Sequence, residues 1–276
     1  MTTFTVHSFK GGSGKTSISI NTCSLLAQLG YNVCLLDFDF HGPSLYALFN
    51  YPNHQEFRPK SYINDYIEEN CNIDDILVNF KSLFKTKGDF YVAYANPSPA
   101  AIQNMIAKGR RWQMKAMERI LTLKKKLTDN YHIDFTCFDS SPGLHYSSLN
   151  SIVASDLVIL IVKYDLVDIE GTKTMLKGIH SALEKKTWLL VNRVPVYNDL
   201  EILQAGGHLS FVEEIFKSVI DENFSILGAI PCLCDVGLYL SSTSTESTRI
   251  YSLDQPDSPF VKSLDKIITV LTTNAT

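Results

Sequence analysis

The chain has 276 residues, 45% of them hydrophobic, with 25 basic and 29 acidic side chains and a net charge of -4. This composition supports a large core and excludes general disorder, and the near-neutral balance excludes a global electrostatic pull toward nucleic acid or anionic membrane. Six scattered cysteines, several inside apolar runs, suit reduced buried thiols better than a disulfide framework. There is no stretch of signal-peptide form, and no apolar run reaches the ~18 residues of a membrane-spanning helix, so a cytoplasmic protein is expected.

Apolar, β-rich runs recur at 4–8, 32–37, 89–95, 133–138, 157–162, 187–191 and 226–230. Helical patterns are expected near 16–29, 100–128, 145–154, 168–184, 208–221 and 258–272. Several runs are apolar almost throughout, as strands covered on both faces are. The alternation predicts an α/β domain over 1–276, with a mostly parallel central sheet flanked by helices on both faces. Residues 50–88, polar and holding Pro52 and Pro59, read as a surface excursion with a short helix over 63–69. Residues 241–248 read as a polar loop.

The first run leads into Lys10-Gly11-Gly12-Ser13-Gly14-Lys15-Thr16-Ser17, which opens the first helical pattern. Glycines without Cβ atoms let backbone N–H groups converge on anionic oxygens, and the helix N-terminus adds its own unpaired N–H groups. Such a loop predicts phosphate binding, with Lys15 reaching the β- and γ-phosphates and the Thr16 hydroxyl on Mg²⁺. The standard spacing calls for glycine where Phe9 stands, and a second lysine, Lys10, lies inside the loop. The segment resembles the deviant Walker A box of the ParA/MinD/Mrp group of P-loop NTPases. That resemblance implies ATP and ADP as ligands and a homodimer in which Lys10 reaches across to the partner's nucleotide.

The second run ends in Asp37-Phe38-Asp39-Phe40-His41-Gly42-Pro43-Ser44, similar to the group's switch I. Residues two apart share a face of an extended segment, so Asp37 and Asp39 are expected side by side at the nucleotide crevice. By resemblance Asp39 positions the attacking water and contributes to the metal site, and Asp37 supports it. Strand-end solvation and capping by Ser44 are the plain alternatives. Asp139-Ser140-Ser141-Pro142-Gly143 resembles switch II, with Asp139 as the Walker B acid toward Mg²⁺. An ordinary strand-to-turn boundary uses the same residues.

Asn192 resembles the residue that reads adenine, since an amide both donates and accepts. Its plain alternative is a helix cap or turn. Pro231 resembles the group's loop against the base. Near it, Cys232-Leu233-Cys234 departs from the CxxC pair of the iron–sulfur carriers related to Mrp, and an incidental pair competes with a cluster site. His7, His41 and His145 are assigned no role.

The biological task is open between an organiser of cellular cargo like ParA or MinD, an Mrp-like iron–sulfur carrier, a regulator of a surface machine and a nucleotide-binding scaffold without turnover. An activating protein partner is expected. Non-specific DNA has weak support: Lys108, Arg110, Arg111, Lys115 and Lys124-Lys125-Lys126 form a basic cluster, but 196–230 is acidic. Membrane binding is disfavoured, because Leu264, Ile267, Ile268 and Leu271 read as a core-facing stripe rather than a lysine-rich amphipathic tail.

Overall fold

The computed structural model describes residues 1–51, 54–183, 185–195, 209–217, 224–241 and 249–273. Pro52, most of the expected polar loop at 241–248, the end of the helix expected at 208–221 and much of the acidic stretch 196–230 lie outside these residues.

Eight strands form one sheet: β1 (Thr2–His7), β2 (Val33–Phe38), β3 (Val78–Asn79), β4 (Phe90–Ala93), β5 (Phe135–Ser140), β6 (Leu157–Lys163), β7 (Lys186–Val194) and β8 (Phe224–Pro231). Their spatial order is β3-β4-β2-β5-β1-β6-β7-β8. Every neighbouring pair is parallel except β3 with β4. The helices among the described residues are α1 (Lys15–Leu29), α2 (Leu45–Phe49), α3 (Ile63–Ile67), α4 (Ile73–Ile76), α5 (Lys81–Phe84), α6 (Pro99–Ala107), α7 (Arg110–Tyr131) and α8 (Tyr146–Ala154). Then follow α9 (Leu166–Leu183), α10 (Leu209–Phe216), α11 (Cys234–Ser241), α12 (Tyr251–Asp254) and α13 (Pro259–Thr273).

Both faces of the sheet are covered, as the unbroken apolar runs require. In β2, Val33 and Leu35 join a core with Leu26 of α1 and Leu264 of α13, while Cys34, Leu36 and Phe38 join Ile120 and Leu123 of α7 on the other face. Period-two alternation thus buries every residue of β2. Beyond β6 the second face is filled by α9 and α10, through Leu176, Val212 and Phe216.

Two expectations are corrected. The single helix expected over 100–128 is broken at Lys108 and Gly109, both extended, so that α6 and α7 are separate. The stretch expected as a surface excursion at 50–88 packs inward: Ile63, Tyr66, Ile76, Phe80 and Phe84 are buried, and Val78 pairs with Val92 on the sheet edge. Its polar look came from short connections, which hide apolar residues spaced too irregularly to read as one element.

α1 ends at Gly30 (φ 106°), whose N–H returns to Ala27 O, while Tyr31 N–H returns to Leu26 O. This left-handed cap turns the chain into β2. The chain runs from β1 to β2 on one side and returns from β5 past β1 to β6 on the other. The crevice at this reversal, at the carboxyl ends of the strands, is where such sheets bind ligands.

Candidate functional site

The loop from Ser8 to Gly14 joins β1 to α1. Gly12 (φ 69°) and Gly14 (φ 94°) adopt the left-handed region that favours glycine. Phe9, standing where the standard motif has glycine, packs on α9: a Cβ on Gly171 would lie 2.1 Å from its ring. No side chain caps α1, so its first N–H groups remain for an anion.

Lys15 is buried, and its Nζ donates to Ser8 Oγ at 3.1 Å. Burial lowers its pKa, and Asp139, Asp39 and Asp168 pull it back up. Among the described residues no carboxylate lies within ion-pair distance of it. A buried ammonium paired only with a hydroxyl is suited to an incoming phosphate. Lys10 is half-buried at the rim, its Nζ 5.9 Å from the centre of the Phe9 ring, and Gly11 and Gly12 are exposed beside it.

Asp139 closes the floor. It accepts from Thr16 Oγ1 at 2.7 Å and from Ser19 Oγ at 3.0 Å. Burial raises its pKa to about 6, against the opposing pull of Thr16, Lys15 and Ser19. A hydroxyl and a carboxylate in contact are hard oxygen donors and fit Mg²⁺. Thr16 and Asp139 are brought together as the sequence implied, although they are 123 positions apart.

The two switch I carboxylates are not equivalent neighbours. β2 stops at Phe38, so Asp37 is fully buried while Asp39 stands beyond the strand, half-buried. Asp37 sits opposite Asp139 in the sheet. It accepts from Asp39 N at 3.1 Å and Leu45 N at 3.4 Å, and burial followed by the Asp139 charge raises its pKa well above the usual range. It therefore ties the strand end to the start of α2. Asp39 accepts from Gly42 N at 3.1 Å and Ser141 Oγ at 2.9 Å, both through Oδ1. Gly143 (φ 73°) donates to Ser8 O at 2.9 Å, which clips the second switch segment to the phosphate loop.

Asn192 lies at the end of β7. Its Nδ2 donates to Ser13 O at 2.7 Å, and its Oδ1 accepts from Arg193 N at 2.8 Å. The amide thus joins β7 to the phosphate loop, and a Cβ on Gly14 would lie 2.4 Å from that Nδ2. Beside it opens a cleft of about 260 Å³, lined by Gly14, Ser17, Ile18 and Asn192 on one side and by Pro231, Leu233, Val236 and Phe260 on the other. Its apolar wall and proximity to the loop suit a planar base. Gly14, Ser17, Asn192 and Pro231, named from the sequence as nucleotide-binding candidates, line this cleft, and so do Ile18, Val236 and Phe260, which no motif pointed to. Phe260 belongs to α13, and only the packing of that helix on β8 carries it to the cleft.

Cys232 and Cys234 are free and exposed, the first also lining the cleft. The basic cluster is partly spent within the fold: Lys108 pairs with Glu68 at 2.6 Å, and Lys124 reaches the Ala154 carbonyl. Three residues without an assigned role enter the site. His7 lies 2.8 Å from Ser140 Oγ through Nδ1, and the His41 and His145 rings are 4.9 Å apart across the two switch segments.

A family model described as an AAA domain matches residues 1–191. The septum site-determining protein MinD of Helicobacter pylori is 24% identical over 256 residues, covering 90% of this chain and 86% of that protein. The sporulation initiation inhibitor protein Soj of Bacillus subtilis is 27% identical over 228 residues, covering 78% and 81%. Among solved structures, MinD of Pyrococcus horikoshii complexed with Mg-ADP superposes with a TM-score of 0.71 at 15% identity, covering 99% of this chain and 97% of that one. With the loop, both carboxylate segments and the sheet order in place, the chain belongs to the ParA/MinD-type P-loop ATPases of the AAA domain family.

Proposed function

We propose that the chain binds Mg·ATP, hydrolyses it slowly and uses it to control its own dimerisation, acting as an organiser of a cellular cargo or surface machine. The observation that carries this reading is the split between the two loop lysines. Lys15 is buried with its Nζ on Ser8 Oγ, and Lys10 is held at the rim beside exposed glycines.

In this reading the loop N–H groups and Lys15 bind the phosphates, and Thr16 and Asp139 hold Mg²⁺, which supplies charge neutralisation when bound. Asp39 orients the attacking water. Ser13, Gly14, Ser17, Asn192 and Pro231 border the nucleotide. Lys10 supplies positive charge to the nucleotide of a second copy, which requires a two-fold dimer. The exposed apolar residues Leu144, Tyr146, Leu166 and Val167, which follow the carboxyl ends of β5 and β6, support a face that becomes covered. Hydrolysis then releases the contacts.

The relatives named above are division and sporulation proteins, which favours an organiser over an iron–sulfur carrier. A solved MinC:MinD complex of Aquifex aeolicus, of the same fold, makes an activating protein partner the natural expectation. Exposed Arg110, Arg111, Lys115 and Lys125 on α7 leave weak, salt-sensitive DNA contact open. No helix among the described residues is long and apolar enough to cross a membrane. In α13, Leu264, Ile267 and Leu271 are buried in the core, which disfavours a membrane-binding tail.

The test is ATP turnover and molecular mass measured together with Mg²⁺. Wild type is expected to dimerise with ATP and hydrolyse it. Lys15→Ala should lose binding, Lys10→Ala should bind but neither dimerise nor hydrolyse, and Asp39→Ala should trap the dimer. Wild-type turnover by Lys10→Ala at high protein concentration would defeat the role in trans.

A further inference from the structure

We propose that Ser141 is a positioning residue for hydrolysis: its hydroxyl orients the Asp39 carboxylate so that Oδ2 alone remains to hold the attacking water. This rests on the reading of Asp39 as the water-orienting group.

After Asp139 the chain places two hydroxyls in succession. β5 lies between β1 and β2, and the two hydroxyls reach opposite neighbours, Ser140 toward Val6 of β1 and Ser141 toward Phe38 of β2. Ser140 turns to β1, where its Oγ donates to Val6 O at 2.9 Å and stands 2.8 Å from His7 Nδ1. A serine hydroxyl has one proton, here spent on the carbonyl, so His7 donates from Nδ1. This fixes the backbone of the segment against the strand that carries the phosphate loop.

Ser141 turns to β2. Its Oγ lies 2.9 Å from Asp39 Oδ1 and 3.3 Å from Phe38 O. The shorter, charge-assisted contact takes the proton. Gly42 N donates to the same carboxylate oxygen at 3.1 Å. Oδ1 therefore has two donors, and among the described residues Oδ2 has none. A carboxylate pinned at one oxygen cannot turn about its Cβ–Cγ bond without breaking both contacts.

Ser141 is 0% exposed, so its hydroxyl is not a solvated surface group. The anchor is rigid because its neighbour Ser140 is held on the other side. Fixing the orientation of a reacting group contributes to rate rather than to binding, and losing a partner that orients an active group costs about ten- to a hundredfold.

The experiment measures kcat, the affinity for a fluorescent ATP analogue and the thermal midpoint of the full chain with Mg²⁺. The variants are Ser141→Ala, Ser141→Cys, Asp39→Ala and the double variant Ser141→Ala/Asp39→Ala. Ser141→Ala should lower kcat about tenfold or more while analogue affinity stays within about twofold. Ser141→Cys keeps the volume but donates weakly, and the same drop in kcat is expected even if the alanine variant does not fold. The double variant should hydrolyse no more slowly than Asp39→Ala alone, since the serine acts through the carboxylate. Wild-type kcat in both Ser141 variants, or a loss of affinity matching the loss of rate, would overturn the proposal. Wild-type kcat in Asp39→Ala would instead remove the reading of Asp39 on which it stands.

Discussion

His7 is a basic side chain buried beside another basic side chain, Lys15. Desolvation first, and the Lys15 charge second, lower its pKa to about 3. The ring is therefore neutral, and among the described residues its Nε2 has no hydrogen-bond partner. The consequence for stability has a definite sign. Between about 3 and the ordinary 6.5 the unfolded chain takes up a proton that the folded chain refuses. Stability therefore falls as pH drops below about 6.5, by up to about 1.4 kcal/mol per pH unit from this group. Asp37 and Asp139, whose pKa values are raised, act in the opposite sense but are common to both proteins in a comparison. His7→Asn should thus lose less stability than wild type between pH 7 and pH 5, read by urea denaturation. Equal losses would mean that the ring is not held neutral. Lys10, Lys15, Thr16, Asp39 and Asp139 could be named as candidates from the sequence because each stands in a contiguous motif. The roles of His7 and Ser140 were not, because the contact that defines them joins residues 133 positions apart.

At the scale of the element, the phosphate loop is a strand-to-helix turn whose shape depends on two glycines with different reasons for being there. Gly12 has a positive φ and open space around it, whereas Gly14 has both a positive φ and the Asn192 amide against its missing Cβ. Gly12→Ala should cost only left-handed strain, about 1–2 kcal/mol. Gly14→Ala should cost more and abolish ATP binding, since either the loop or Asn192 must move. Denaturant midpoints and ATP titration of the two variants check this. Equal behaviour would show that the contact between β7 and the loop is unimportant. The same scale explains the misread stretch at 50–88. Stacked rings of Phe57, Phe80 and Phe84, with centroids 5.0 and 5.1 Å apart, anchor it. Aromatic residues in short turns have no helical or strand period, so the sequence pattern concealed a buried layer.

For the whole molecule, the carboxyl ends of one sheet position most of the site: β1 leads into the loop, β2 into Asp39, β5 carries Asp139, and β7 and β8 border the cleft, while α1 supplies Lys15 and Thr16. A ligand at that edge should therefore stabilise the entire fold. Mg·ATP at a hundredfold its dissociation constant should add about 2.7 kcal/mol, read as a rise in the thermal midpoint. Lys15→Ala should show no rise. A wild-type midpoint that ignores Mg·ATP would argue against nucleotide binding altogether. If dimerisation is coupled to ATP, the midpoint with Mg·ATP should also climb with protein concentration, and Lys10→Ala should lack that dependence.

The sequence by itself determined the class of fold and the chemistry of the loop. Unbroken apolar runs alternating with helical patterns leave few arrangements but a covered parallel sheet, and a glycine-rich turn before a helix is a local device whose parts are neighbours in the chain. Only the tertiary structure decided which carboxylate is buried and which stands beyond the strand. Asp37 and Asp39 look alike in sequence, and the difference arises because β2 ends at Phe38 and places one beside Asp139 and the other beside Ser141. It also decided that Phe260 borders the cleft and that Ile63, Tyr66, Ile76, Phe80 and Phe84 belong to the core. These are contacts between distant segments, fixed by strand order and helix packing, and no local pattern encodes them.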